Sequence, residues 1–294
     1  MTLSVCMIVK NEADVLMDCL EDASRFADEL IIVDTGSEDE TKEIAFRYTD
    51  RVFDFVWCDD FAAARNASYE KATGEYLMWL DADDRITPEN VKKILAWKDH
   101  MSREETSSVK LIMAGYERPE NGGVFLYPRI TRRDAHFVWK GTIHEHLVLP
   151  PEQQLVRPEE TETADFLILH QKQIEPDYAR NIRIMEKLPE EELHCSFWLC
   201  ANGFLDCVLA GEPQKAEKYL AYAEHAVTPF AERLEDYALI NAVLKYRRLY
   251  DAMMKWNAMY LRCRKEQQVN AGGIALKKNP HEFFQTENAF INVP

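Results

Sequence analysis

Apolar residues along the first part of the chain follow two alternating spacings. Short, mostly apolar runs are typical of strands buried in a sheet, and they occur at residues 3–9, 30–33, 51–57 and 76–80. Between these runs, apolar residues recur at helical spacing, as they do from Val15 to Phe26 and over residues 61–72. This alternation predicts an α/β fold with a mostly parallel sheet that is flanked by helices.

Local signals place several helix ends. Ser37 and Glu40 have the spacing of a capping box, which predicts that a helix begins at Ser37 and runs to about Tyr48. Gly74 suits the C-cap of the helix predicted over 61–72. Thr87 followed by Pro88 predicts the N-cap and first position of a further helix.

The pattern changes in the middle of the chain. Turns such as Asn121-Gly122-Gly123 separate short β-rich runs, which lie at 109–116, 124–127, 137–139 and 166–169. These runs predict a mixed β segment that completes the sheet and builds the side facing a second substrate.

From residue 176 onward the apolar spacing is helical. A helical hairpin is predicted over 197–209 and 216–226, and another helix over 231–264. No repeat is evident at the 34-residue period of tetratricopeptide units. The change to helical spacing at residue 176 predicts two domains, 1–175 and 176–294. We interpret the second as an all-α module, which is either tetratricopeptide-like or a dimerisation module through which the chain forms a homodimer.

Polar side chains follow three of the predicted strands. Asn11-Glu12 follow the first strand, Asp34 ends the second, and Asp81-Ala82-Asp83-Asp84 follow the fourth. Parallel strands bring their carboxyl ends to one edge, where ligands of such sheets bind. Adjacent carboxylates repel one another unless a cation lies among them, and a divalent ion held by oxygen ligands commonly also holds phosphate. The sequence therefore predicts a metal–diphosphate site at this edge.

Composition and charge exclude several classes of protein. Acidic residues number 51 against 35 basic ones, and the net charge of −16 argues against nucleic acid as the main partner. The seven cysteines include no C-x-x-C pair, which argues against a zinc knuckle and favours a reducing compartment. The chain has neither a signal peptide pattern nor the roughly 18 apolar residues of a membrane span. We expect a cytoplasmic protein without a transmembrane segment.

Four segments in a fixed order resemble a known enzyme family. They are Cys6-Met7-Ile8-Val9-Lys10-Asn11-Glu12, Ile32-Val33-Asp34-Thr35-Gly36-Ser37, Asp60-Phe61-Ala62-Ala63-Ala64-Arg65-Asn66 and Trp79-Leu80-Asp81-Ala82-Asp83. Together they resemble family 2 glycosyltransferases of the GT-A fold. Residues 139–145, Trp-Lys-Gly-Thr-Ile-His-Glu, resemble the W-x-G-x-x-H-E segment of a bacterial subgroup. Some members of that subgroup carry helical repeats, and some glycosylate peptides.

The resemblance implies an inverting, metal-dependent glycosyltransferase. Its donor would be a nucleotide sugar, commonly UDP-linked, and its acceptor a protein or peptide side chain or a glycan. In the family's pattern Asp34 would bind the base and Arg65 would lie by the diphosphate. The implied donor-binding residues are Val9, Asn11, Glu12, Asp34, Arg65, Asp81, Ala82 and Asp83.

The resemblance also implies a Mn²⁺ or Mg²⁺ ion and a base. Asp83 would hold the ion together with Asp81 and His170, so that the ion stabilises the departing diphosphate. Glu145 is the candidate for the base, with Asp84 and Asp134 as competitors. His144 is left open between a metal ligand and a structural histidine. The subgroup often has an R-x-F-R strand before its W-x-G segment, and this chain departs from it with Arg-Ile-Thr-Arg-Arg at 129–133.

Other functions stay open from the residues alone. Asp81 and Asp83 at a strand end also suit a phosphoryl-transfer enzyme in which Asp81 is the nucleophile. A nucleotidyltransferase shares the sheet type, although Lys10-Asn11-Glu12 is not a Gly-rich phosphate loop. A non-catalytic module that binds nucleotide sugars is the remaining alternative.

Overall fold

The computed structural model describes most of the first 225 residues. The described residues are 1–103, 108–118, 123–149, 158–171, 177–195 and 197–225. They fall into two compact units, of which the first ends by Glu175 and the second begins at Pro176. Residues 172–176 lie outside the described part, so the predicted domain boundary stays a prediction. The helix predicted over 231–264 also lies outside it.

The beginning of the chain alternates strand and helix, as its apolar spacing predicted. The strands are β1 (Leu3–Val9), β2 (Glu29–Asp34), β3 (Val52–Asp54) and β4 (Tyr76–Trp79). The helices are α1 (Leu16–Ala23), α2 (Thr41–Phe46), α3 (Phe61–Lys71) and α4 (Pro88–Met101). Each predicted strand and helix is present, with its bounds shifted by a few residues at most sites.

The later strands complete the main sheet and form a second, smaller one. They are β5 (Asp84–Arg85), β6 (Leu111–Arg118), β7 (Gly123–Arg132), β8 (Val138–Lys140), β9 (His146–Val148) and β10 (Thr161–His170). Eight strands pair in the order β3-β2-β1-β4-β7-β6-β10-β5, while β8 and β9 pair with each other. Four of the seven pairings in the main sheet are parallel, which confirms the predicted α/β class with a mostly parallel sheet.

Apolar layers lie on both faces of this sheet. Alternate residues of β1 point to opposite faces, so that Val5 and Met7 join the larger core while Cys6 joins the smaller one. The larger core is closed by apolar residues of α1 and α4, and the smaller one by residues of α3 and by Trp139 of β8. The helices on both faces leave the strand ends as the open edge of the sheet.

Two local predictions were wrong. The helix α2 begins at Thr41 instead of Ser37, because the Ser37 hydroxyl accepts a hydrogen bond from the backbone N–H of Asn11 at 2.9 Å. Gly74 is not the C-cap of α3, since that position belongs to Ala72. A Cβ atom at position 74 would lie 2.5 Å from Ser4 Oγ, so glycine is needed there for a close approach between segments.

The predicted N-terminus of α4 is confirmed. Thr87 is the N-cap, and its hydroxyl accepts a hydrogen bond from the backbone N–H of Asn90 at 3.3 Å. Pro88 occupies the first turn, where no intrahelical hydrogen bond is lost. This part of the chain therefore follows its local signals.

The second unit is helical in the part that the structure describes. Its helices are α5 (Tyr178–Met185), α6 (Glu190–Cys195), α7 (Phe197–Leu209) and α8 (Pro213–His225). Helices α7 and α8 pack together, which confirms the predicted hairpin. A Cβ atom at Gly203 would lie 3.1 Å from Tyr219 Cδ1, so the absent side chain allows the two helices to approach closely. The role of this unit in dimerisation stays a prediction.

Among the described residues, no helix combines the length and apolar character of a membrane span.

Candidate functional site

The carboxyl ends of β1, β2 and β4 lie side by side. Val9 of β1 is in register with Asp34 of β2, and Cys6 of β1 is in register with Trp79 of β4. The polar residues that follow these strands therefore come to one edge of the sheet, as the sequence predicted.

The loops after β1 and β2 are tied together by hydrogen bonds. The Asn11 side-chain oxygen accepts from the backbone N–H of Glu38 at 2.8 Å, and the backbone N–H of Glu12 donates to Thr41 Oγ1 at 2.7 Å. The Val9 carbonyl accepts from both the backbone N–H and the hydroxyl of Thr35. Asn11 has a φ of 54°, in the left-handed region that asparagine tolerates better than most residues. The structure thus places the predicted donor residues Val9, Asn11 and Glu12 in one connected pair of loops.

Asp34 is buried beside these loops, and one of its two carboxylate oxygens has no hydrogen-bond partner among the described residues. It is 1% exposed, and its Oδ1 accepts hydrogen bonds from the backbone N–H groups of Gly36 and Ser37, both at 2.9 Å. Within the described part of the chain, its Oδ2 atom has no hydrogen-bond partner. A buried carboxylate oxygen without a partner is costly, so this atom is suited to accept a hydrogen bond from a ligand.

The acidic turn after β4 is held in a fixed shape. The backbone N–H of Asp81 donates to Asp84 Oδ2 at 3.0 Å, and the backbone N–H of Asp84 donates to the Asp81 carbonyl at 3.1 Å. The side chain of Asp83 is 22% exposed, whereas that of Asp84 is fully buried. Ala82, predicted to lie by the donor, is buried. Asp83 and Asp81, which is 32% exposed, are therefore the two acids of this turn whose side chains are partly accessible.

Three side chains come close enough to share a metal ion. One ligand atom each from Asp83, Asp84 and His170 lies within 4.8 Å of the other two. His170 Nδ1 is 3.3 Å from Asp83 Oδ1 and 3.4 Å from Asp84 Oδ1. The antiparallel pairing of β10 with β5, in which His170 is in register with Asp84, creates this group. Two carboxylates and an imidazole could hold a divalent cation.

This grouping differs from the predicted ligand set in one member. His170 and Asp83 lie together as expected, but Asp84 accompanies them in place of Asp81. The sequence predicts Asp84 only as a competing base. Its place next to Asp83 in the acidic turn was a signal that Asp84 could bind a metal ion. The register of β5 with β10, which brings His170 to Asp84, could not be predicted from the sequence.

The charges of this group act strongly on His170. Burial by itself lowers the pKa of the imidazole, but hydrogen bonds and negative charge from Asp83 and Asp84 outweigh it and raise the pKa to about 9. His170 is therefore protonated at neutral pH while no metal is bound. A metal ion binds the neutral imidazole, so it would have to displace this proton.

A buried arginine forms an ion pair with the acidic turn. Arg129 on β7 is 0% exposed, and its Nη1 donates to Asp84 Oδ2 at 3.0 Å. Its guanidinium lies 3.5 Å from the ring centre of Trp79 and 4.2 Å from that of Tyr116. The sequence patterns predicted no role for Arg129. Its one signal is that it is the first residue of the segment that departs from the R-x-F-R pattern. Arg129 supplies the counter-charge that allows Asp84 to be buried as a carboxylate.

A second arginine joins Asp81 to Glu145. Arg65 on α3 has Nη2 at 2.9 Å from Asp81 Oδ1 and Nε at 2.6 Å from Glu145 Oε1. Burial acts to raise the pKa of Asp81, but the charges of Arg65 and Arg129 outweigh it and leave the pKa below its usual value. Asp81 is thus an ionised partner of Arg65, and the candidate base Glu145 lies on the other side of the same guanidinium.

His144 lies apart from the metal-ligand group. Burial lowers the pKa of its imidazole to about 4, so the ring is neutral at physiological pH. Among the described residues, the cluster formed by Asp83, Asp84 and His170 is the one whose geometry suits a metal ion. The geometry therefore favours His170 as the ligand.

Comparison with known proteins identifies the domain that contains this edge. Residues 4–137 match the family model described as glycosyl transferase family 2. This span includes Asp34, Arg65, the acidic turn and Arg129, whereas Glu145 and His170 lie beyond its end. The part of the chain that carries the four motifs therefore matches the family that they resemble, and that resemblance is confirmed.

Two curated relatives each match somewhat less than half of the chain. The TPR repeat-containing protein Synpcc7942_0270 of Synechococcus elongatus is 36% identical over 130 residues, which cover 44% of this chain and 30% of that protein. The SPbeta prophage-derived glycosyltransferase SunS of Bacillus subtilis is 28% identical over 147 residues, which cover 49% of this chain and 34% of that protein. This chain therefore spans about a third of the length of each relative.

Solved structures with a similar layout are distant in sequence. S. aureus TarS 1–349 in complex with UDP-GlcNAc is 15% identical, with a TM-score of 0.48 over 89% of this chain and 92% of that one. Glucosyl-3-phosphoglycerate synthase from Mycobacterium tuberculosis, in complex with Mg²⁺ and UDP, is 17% identical, with a TM-score of 0.40 over 59% of this chain and 72% of that one.

Replacing Arg129 tests the buried ion pair. We expect Arg129→Met to lower the free energy of unfolding by about 3–5 kcal/mol, because it leaves the Asp84 carboxylate buried without a counter-charge. The control is Lys93→Met, which removes ion pairs to the exposed Glu89 and Asp165 and should cost less than about 1 kcal/mol. Chemical denaturation followed by tryptophan fluorescence measures both, and equal losses would contradict the assignment.

The raised pKa of His170 predicts a pH-dependent contribution to stability without metal. A group whose pKa is higher in the folded than in the unfolded state stabilises the fold below its unfolded pKa, near 6.5. This contribution is lost as pH rises toward about 9. In EDTA, we expect His170→Gln to destabilise the protein more at pH 6 than at pH 9.5, by about 1–3 kcal/mol. Urea unfolding at the two pH values measures this, and a difference that does not change with pH would overturn the prediction.

Proposed function

We propose that this chain is an inverting, metal-dependent glycosyltransferase that uses a UDP-linked sugar donor. The observation that carries the proposal is the Asp83–Asp84–His170 group at the carboxyl edge of the sheet, whose two carboxylates lie within the residues that match the family 2 glycosyltransferase model. Ligands of parallel sheets bind at this edge, so a metal ion held here is suited to meet a bound diphosphate.

The unpartnered Oδ2 atom of Asp34 supports the proposal that the base of the donor is uracil. The N3 atom of uracil carries a hydrogen that can be donated to a carboxylate, whereas the N3 atom of cytosine carries none. Asp34 Oδ2 is buried among the loops after β1 and β2 and has no partner among the described residues. A uracil base can satisfy this atom through its N3–H group, whereas a cytosine base could reach it only through its exocyclic amino group.

Asp83, Asp84 and His170 would hold the metal ion. Mg²⁺ prefers ligand sets made only of oxygen, so the imidazole in this group favours Mn²⁺ over Mg²⁺. When bound, the ion supplies Lewis-acid stabilisation of the negative charge on the leaving nucleoside diphosphate. The ligand carboxylates are already oriented by backbone hydrogen bonds and by Arg129.

Glu145 is the residue that we propose as the general base. Its side chain is 12% exposed, and Arg65 holds it beside the acidic turn. In a direct displacement, a carboxylate removes the proton from the acceptor atom as that atom attacks the sugar, and the anomeric centre is inverted. The acceptor that we propose is a protein or peptide side chain or a glycan, and the helical unit is proposed to contribute to its binding or to dimerisation.

A donor panel combined with one substitution tests the activity. We expect UDP release from a UDP-sugar in the presence of Mn²⁺, and a loss of at least about 100-fold in Asp83→Ala, because the diphosphate charge is then no longer neutralised. Free nucleotide is measured for each UDP-, GDP- and CMP-linked sugar with Mn²⁺ or with EDTA. Asp99→Ala, at an exposed position of α4, is the control and should keep full activity. Full Mn²⁺-dependent release by Asp83→Ala would show that the metal site is assigned to the wrong residues.

Replacing Asp34 tests the recognition of the base. We expect Asp34→Asn to weaken UDP binding by about 10–100-fold, since its amide group would oppose a donor either in the ligand or in the Gly36 and Ser37 backbone. Calorimetric titration with UDP in saturating Mn²⁺ measures the affinity. The control is Asp54→Asn, at the exposed position of β3 that is in register with Asp34. Unchanged affinity in Asp34→Asn would mean that the uracil contact lies elsewhere.

A further inference from the structure

Arg65 is held too firmly by protein groups to serve the role that the family resemblance implied for it. We propose that Arg65 is a positioning residue, which fixes Glu145 and Asp81 for sugar transfer and does not bind the donor diphosphate. This inference rests on the proposed function for its link to transfer, but its structural part can be tested without any ligand.

Two of the three guanidinium nitrogens of Arg65 are bonded to carboxylates. Nε is bonded to Glu145 and Nη2 to Asp81, at 2.6 and 2.9 Å, and the side chain is only 10% exposed. Burial opposes the charge on the guanidinium, but these two carboxylates outweigh that effect and raise the pKa of Arg65. A move toward a phosphate would break both ion pairs and leave two carboxylates without a counter-charge.

Two tryptophan rings lie against the guanidinium. Its central carbon is 4.8 Å from the ring centre of Trp79 and 5.0 Å from that of Trp139. The two rings are perpendicular to each other, and Trp79 is fixed by a hydrogen bond from its Nε1 to the Pro128 carbonyl at 2.7 Å. These cation–π contacts add to the ion pairs in holding Arg65 where it is.

The loop that presents Glu145 is docked along α3, the helix that also bears Arg65. The side chain of Asn66 donates to the Trp139 carbonyl at 2.9 Å and accepts from the Trp139 backbone N–H at 2.8 Å. The backbone N–H of Phe61 donates to the Thr142 carbonyl at 2.8 Å. Arg65 is the third attachment, and it is the one that holds the carboxylate itself. Helix α3 therefore sets the position of Glu145 relative to the acidic turn.

Nucleotide titration separates positioning from phosphate binding. We expect Arg65→Met to bind UDP in saturating Mn²⁺ with a dissociation constant within about 3-fold of the wild type, whereas a lost phosphate contact would weaken binding by 10-fold or more. Lys71→Met removes a positive charge from the other end of α3 and is the control. A 10-fold loss confined to Arg65→Met would overturn the inference. A wild-type chain that does not bind UDP would instead contradict the proposed function.

Hydrogen exchange tests the structural part of the inference without ligand. We expect the amides of residues 139–148 to exchange at least about 10-fold faster in Arg65→Met than in the wild type, because the carboxylate end of the loop loses its attachment. Lys71→Met should exchange like the wild type. Unchanged exchange in this loop of Arg65→Met would overturn the inference, whether or not the protein binds UDP.

A double-mutant cycle tests the link between Arg65 and Glu145 in turnover. UDP release from UDP-GlcNAc and UDP-glucose is measured for Arg65→Met, Glu145→Gln and the double variant. We expect each single variant to lose about 100-fold and the double variant to lose little more, since both act through one base. Arg65→Lys, which can keep one ion pair, should recover part of the rate. Losses that multiply in the double variant would show that Arg65 acts independently of Glu145.

Discussion

Three cations hold four carboxylates together at the edge of the sheet. Arg65 lies between Asp81 and Glu145, Arg129 lies under Asp84, and the protonated His170 lies beside Asp83 and Asp84. The group thus has about one net negative charge when His170 is protonated. Without these cations, the carboxylates would repel one another in a largely buried place.

The balance of charge suits a site that takes up a divalent cation and then a diphosphate. Loss of the His170 proton leaves about two negative charges in the group, which matches the charge of the metal ion that would replace the proton. The hydrogen bond from Arg129 orients Asp84 before the ion arrives. The backbone hydrogen bonds of the acidic turn hold its conformation, so the ligand side chains need little rearrangement when the metal ion binds.

The architecture divides these roles between different parts of the sheet. The parallel strands β1, β2 and β4 bring the donor-side residues to one edge, as in other open α/β sheets. The antiparallel strands then place Arg129 under the acidic turn and His170 beside it. Helix α3 covers one face of the sheet and, through Arg65 and Asn66, ties the loop of Glu145 to the same edge. The candidate base and the metal ligands therefore share one rigid support.

The sequence by itself determined the α/β alternation, the edge at which Asp34 and Asp83 lie, and the family of the domain. These depend on local apolar spacing and on the rule that parallel strands end together. Tertiary structure alone decided that Asp84, not Asp81, joins His170, and that Arg129 is buried beneath it, because these contacts join residues 45 to 86 positions apart through antiparallel pairing. It also overrode the capping box at Ser37, whose hydroxyl is taken by a neighbouring loop. Local pattern cannot show which distant partner satisfies a polar or charged group, since that depends on strand register and packing.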